Sequence, residues 1–164
     1  MYPNWKRTTI AHNTVTVDET PAFPYDVKTD SIWEADPWRD QISDGERIGF
    51  DPHGAAFKAV RVRNRRVYPG VVLDRTVLVT PRLALDVFRC HSAVVHTFDW
   101  VMHVIGTPAG LNAWPKAPPL KGRGYDQWQD VRRAPMPRTG LCLKWEAPEG
   151  MTRASIRTPN RPRV

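Results

Sequence analysis

Cysteine is scarce in this chain: two in 164 residues, Cys90 and Cys142. That is too few for a disulfide framework, and no C-x-x-C spacing marks a metal knuckle. A single bridge between the two is one arrangement; two separate buried thiols are the expected one. Long apolar runs are also absent. Nothing reaches the length of a membrane-spanning helix, and no apolar stretch follows the basic N-terminus as a signal peptide would require. The sequence as it stands therefore carries no export instruction. Heptads, internal repeats and low-complexity tracts are missing too, which excludes coiled coils and solenoids. Acidic residues are outnumbered, 17 Asp and Glu against 24 Lys and Arg, leaving a net charge of +7.

What is present points to strands. Sixteen prolines are spread through the chain, and Val, Thr, Trp and Tyr are frequent, a combination that works against helices. Alternation and turn punctuation predict nine strands, near 12–18, 30–35, 46–51, 56–63, 71–80, 82–91, 94–104, 140–146 and 151–158. Val60 and Val62 alternate with Arg61 and Arg63, giving one buried and one wet face. The expected fold class is all-β, an antiparallel β-sandwich, with 56–104 as four consecutive strands at the centre of a sheet. One domain over 1–158 and a basic tail at 159–164 are expected. Between 107 and 139 six prolines interrupt any ladder, so this stretch, with Trp114, Tyr125 and Trp128, reads as a long loop.

The positive charge is clustered and rich in arginine. Arg61, Arg63, Arg65 and Arg66 form one group; Lys121, Arg123, Arg132 and Arg133 a second; Arg153, Arg157, Arg161 and Arg163 a third. The planar guanidinium fork suits carboxylate, sulfate or phosphate. An acidic polysaccharide and a nucleic acid both fit such clusters, and so does a solvated face with no ligand.

Three segments narrow the choice. Ala11-His12-Asn13-Thr14-Val15-Thr16-Val17-Asp18 reads as a strand with Val15 and Val17 on one face. Arg75-Thr76-Val77 leads into Asp86-Val87-Phe88-Arg89. Then come His96-Thr97-Phe98-Asp99-Trp100-Val101-Met102-His103 and Gly106. In order and spacing these resemble the A-H-N-T-V-x-V-D, R-T-V, D-x-F-R and H-T-Y/F-D-W-x-x-H-x-x-G segments of the heparinase II/III-like polysaccharide lyases. In that family they belong to the β-sheet domain following a helical toroid. The resemblance is strongest over 5–20 and 55–106. Hundreds of residues precede the first motif in the family and ten precede it here, so the resemblance implies an incomplete sandwich, part of a toroid-plus-sandwich enzyme.

The resemblance implies β-elimination on a uronate-containing acidic polysaccharide, with the catalytic toroid outside this chain. It implies a parent enzyme that is periplasmic or secreted. It places a metal ligand at His12, with zinc as the expected ion of the complete enzyme. The family's partner ligands, including its G-H-x-D segment, do not occur in this sequence, and a strand-end histidine bonded to a backbone carbonyl is the plain alternative. Asn13, His96 and His103 are the candidate substrate-binding residues. No tyrosine falls in a recognisable catalytic motif; Tyr68-Pro69-Gly70 reads as a structural turn, and no catalytic residue is assigned. On a regular strand, His96, Phe98, Trp100 and Met102 share one face, the expected core, and His103 and Asp99 share the other. Asp99 and His103 would stand about 13 Å apart at roughly 3.3 Å per residue, too far for a dyad. The expected partners are therefore an acidic polysaccharide and the missing toroid. The competing readings are a non-catalytic acidic-glycan-binding sandwich and, with no recognised motif behind it, a nucleic-acid binder.

Overall fold

A computed structural model describes residues 8–20, 22, 45–121, 124–138, 140–148 and 150–157. The strands are β1 (Val15–Val17), β2 (Glu46–Asp51), β3 (Lys58–Asn64), β4 (Val71–Val79), β5 (Ala84–Ser92), β6 (Phe98–Trp100), β7 (Thr107–Pro108), β8 (Leu141–Ala147) and β9 (Gly150–Ile156). Single 3-10 turns lie at Thr9–Ala11, Leu111–Ala113 and Tyr125–Gln127, and the described residues contain no α-helix. Every strand pairing is antiparallel. The fold is all-β and sandwich-like, as the alternation predicts.

The chain divides into two compact units, one up to Val101 and one from Met102. In the first, β2, β3, β4 and β5 form a four-stranded meander, and β1 pairs with β6 in a separate ladder. Val17 of β1 packs with Tyr68 and Val71, and Ala22, Val67 and Leu73 surround them. Val71 and Leu73 share a face of β4, so β1 lies as a second layer against that face. Tyr68 is buried in this core, and its hydroxyl donates to the Thr20 carbonyl at 3.0 Å. Its role is structural, as the turn reading has it. The second unit is built on the β8–β9 hairpin with the short β7 at its edge.

Several expectations need correction. The strand expected over 94–104 is only β6, and it leaves the central sheet to pair with β1, so that sheet spans 46–92 instead of 56–104. A ladder from 94 is not formed: Val95 is 99% exposed, and the Thr97 N–H is taken by the Asp18 carboxylate. The parity argument for His96 and His103 therefore falls, since both lie outside the regular strand. Phe98 and Trp100 are not core; each is 37% exposed, while Val101 is buried. Strand 12–18 is shortened to 15–17: residues 12–14 are bends that follow the 3-10 turn at Thr9–Ala11, and Asp18 opens a turn. Both thiols are free, but Cys142 is exposed and Cys90 only half-buried. The strand expected over 30–35 and the tail 159–164 lie outside the described residues.

Candidate functional site

The first unit gathers the conspicuous sequence segments around β1. At its C-terminal end, Val17 to Thr20 make a tight turn in which the Thr20 N–H donates to the Val17 carbonyl at 3.0 Å. Asp18 and Glu19 both have positive φ, 52° and 55°, the signature of a type I′ turn. Aspartate enters this region more readily than glutamate, and a strained residue of this kind costs about 1–3 kcal/mol. The turn aims Asp18 at β6. Its Oδ1 accepts the Thr97 N–H at 2.8 Å and its Oδ2 lies 2.6 Å from His96 Nδ1. The Asp18 N–H in turn donates to the Thr97 carbonyl at 2.9 Å. The His96 bond, followed by the Thr97 N–H, holds the Asp18 carboxyl below its ordinary value.

An ionised carboxylate only accepts, so Asp18 selects the tautomer of neutral His96 with hydrogen on Nδ1. Nε2 then carries the lone pair and is the ring's hydrogen-bond acceptor. The ring stands edge-on to Phe98, with centroids 6.1 Å apart. Trp100, two residues further along, presents a second partly exposed ring on the same side of β6. An oriented imidazole beside the Phe98 ring, with Trp100 further along the strand, offers both a polar contact and a stacking surface to a sugar.

At the other end of β1, the Val101 N–H donates to the Thr14 carbonyl at 2.8 Å. His12 follows the 3-10 turn, and its backbone N–H donates to Thr9 at 3.1 Å. Both His12 and Asn13 are exposed. The Asn13 carbonyl accepts from Arg75 at 2.8 Å, and Arg75 forks onto Asp86 at 2.9 and 2.8 Å. Arg75 also lies 5.0 Å over the Phe88 ring. The R-T-V and D-x-F-R segments thus clamp the backbone of the A-H-N-T segment, a role for Arg75 and Asp86 that sequence reading missed. His12 and Asn13 are not brought to His96; they sit at opposite ends of the β1–β6 ladder. Among the described residues no group of three or more His, Cys, Asp or Glu is placed to hold a metal. These residues do not complete a zinc site around His12.

His103 belongs to the second unit. It stands edge-on to Trp128 at 6.3 Å, and Trp128 stacks on the buried Tyr125 at the same centroid distance. The long loop that holds Trp128 is ordered by its own bonds. Ala117 N–H donates to the Val131 carbonyl at 2.8 Å, and Arg133 N–H to the Pro115 carbonyl at 3.1 Å. Arg132 donates to the Trp114 carbonyl at 3.0 Å and pairs with Asp130 at 3.2 Å. This arginine of the second basic cluster is therefore committed to the loop itself. Burial pushes the Tyr68 phenol up, the opposite of what a phenolate base requires.

No protein-family model matches the chain, and no solved structure matches it. Over 145 residues, 80% of the chain, it is 28% identical to an alginate lyase of Stenotrophomonas maltophilia strain K279a. The similarity is thus to a polysaccharide lyase. The match covers 18% of that relative's length, less than a fifth of it.

Proposed function

We propose that this chain is the β-sheet portion of a heparinase II/III-like polysaccharide lyase whose substrate is a uronate-containing acidic polysaccharide. Its part is to present substrate contacts, while a helical toroid supplies most of the groups for β-elimination. That reaction needs a donor set for the uronate carboxylate, a base for the C5 proton and an acid for the leaving oxygen at C4. The observation that carries the reading is the Asp18–His96 pair beside Phe98, with Trp100 further along the same side of β6, where one motif's aspartate orients another motif's histidine. The similarity to an alginate lyase supports the same substrate class. A periplasmic or secreted parent enzyme follows from a substrate of that kind, and His12 as one zinc ligand remains part of the proposal for the complete enzyme.

The test is affinity electrophoresis of the full chain in gels containing sodium alginate or a neutral glucan. Retardation by alginate alone is expected, weakened several-fold in His96→Gln and Trp100→Ala. Lyase turnover, followed by the ultraviolet absorbance of the unsaturated uronate product, should be absent from this chain by itself. Equal mobility in both gels would sink the substrate class, and product formation would sink the division of labour.

A further inference from the structure

The face of the four-stranded sheet turned away from β1 carries its own charge pattern. Along β4, Val71, Leu73 and Arg75 face β1, so Asp74 and Thr76 point the other way. The register sets Arg63 of β3 and Arg89 of β5 directly opposite Asp74, with Arg61 one same-face position along β3. Asp74 is 2% exposed. It accepts from Arg61 Nε and Nη2 at 2.8 and 2.7 Å and from Arg63 Nε at 3.1 Å, with Arg63 Nη2 also 3.1 Å away. Those bonds hold the two forks against the sheet and leave Nη1 of each arginine without a bond to Asp74; the Arg61 side chain is 39% exposed and that of Arg63 25%. Arg89 is exposed and has no carboxylate partner among the described residues. Two further acids share this face on the edge strand β2. Glu46 is opposite Arg63, and Asp51 at the far end caps the following turn through the His53 and Gly54 N–H groups.

We propose that Arg61, Arg63 and Arg89 form a second anion-binding surface, which takes the carboxylates of an acidic polysaccharide on the side of the sheet opposite His96. The proposal rests on the substrate class given above and adds a separate place for it. Arg63 and Arg89 lie two strand spacings apart, roughly 10 Å, on either side of the buried Asp74, so two guanidinium groups flank the middle strand at a spacing suited to successive carboxylates of a linear polyanion. Guanidinium forks match carboxylates in pairs of hydrogen bonds. Single-stranded nucleic acid is disfavoured because this face of β2–β5 bears no Phe, Tyr or Trp on which a base could stack.

Arg89→Gln is the informative variant because Arg89 does not hold Asp74, so its thermal midpoint should stay at the wild-type value. Binding of sodium alginate to the full chain should weaken about fivefold, the upper range for one exposed ion pair, with a shallower salt dependence. His96→Gln lies on the other face, so its loss should combine additively with that of Arg89→Gln. Wild-type affinity in Arg89→Gln, with His96→Gln weakened, would overturn this inference and leave the proposed function standing. No alginate binding by the wild-type chain would overturn both. Tighter, Arg89-dependent binding of single-stranded DNA would assign the face to nucleic acid and overturn the polysaccharide proposal.

Discussion

Asp18 carries the most local consequence of any residue in the first unit. It ends β1, takes a positive φ, and spends both carboxylate oxygens on the segment that enters β6. An asparagine in its place keeps one carbonyl acceptor for the Thr97 N–H but offers His96 Nδ1 an amide donor, a weaker neutral bond that favours the opposite tautomer. Asp18→Asn should therefore loosen the imidazole, weakening alginate retention about as much as His96→Gln while lowering the thermal midpoint. The pH dependence has a definite sign. The folded carboxyl lies below its ordinary value of 3.8, so its contribution is present above that value and lost as pH falls through the lower, folded pKa. Retention that is unchanged in Asp18→Asn would show that His96 is oriented by something else.

Strand pairing depends on two residues that play unlike parts. Asp74 ties β3 to β4 through Arg61 and Arg63, and the Arg61 hydrogen bonds are the main reason its carboxyl is held at about 2 against an ordinary 3.8. Between those values the unfolded chain binds more protons than the folded one, so stability rises with pH across that window. The contribution, on the order of 2 kcal/mol, is complete above 3.8 and lost as pH falls towards 2. Asp74→Asn should remove that acid-limb slope in a pH series of urea melts, with a similar loss at neutral pH. Gly106 acts sterically. Its φ is 128°, and an added Cβ would stand 2.7 Å from the Glu146 carbonyl oxygen, where β7 meets β8. Gly106→Ala should cost about 1–3 kcal/mol and release β7 from the hairpin, read as faster amide exchange at Ala109, whose N–H donates to the Lys144 carbonyl.

At the scale of the molecule, the buried apolar side chains are few and the exposed ones many. Ile10, Val15, Val17, Tyr68, Val71, Val101 and Tyr125 are the buried apolar side chains among the described residues. Outside them, Val95, Ile105, Val94, Met151, Phe50 and Leu83 are all more than half exposed. Each large side chain left in water forgoes roughly 1.5–3 kcal/mol of burial, against a usual domain stability of about 5–15 kcal/mol. Exposed apolar area together with unpaired strand edges favours association. The purified chain should therefore self-associate at micromolar concentration despite its charge of +7. Sedimentation velocity giving a single monomeric species across that range would contradict this.

Composition and alternation by themselves determined the all-β class and nearly every strand from 46 to 92 and from 141 to 156. The reason is local: a period of two with β-branched residues, cut by Pro and Gly turns, leaves one economical backbone solution. The same local signal ran out at 94–104, where an alternating pattern is present but Asp18, distant in sequence, takes the N–H and the histidine that a ladder would have used. Tertiary structure alone decided the site. It paired Asp18 with His96, put Arg75 and Asp86 under the Asn13 backbone, and left His12 at the opposite end of the ladder from His96. It also turned Arg61 and Arg63 from an anonymous wet face into a pair gathered on one buried carboxylate. Charge partners chosen across strands depend on register and layer, and neither is written in the spacing of residues along a single strand.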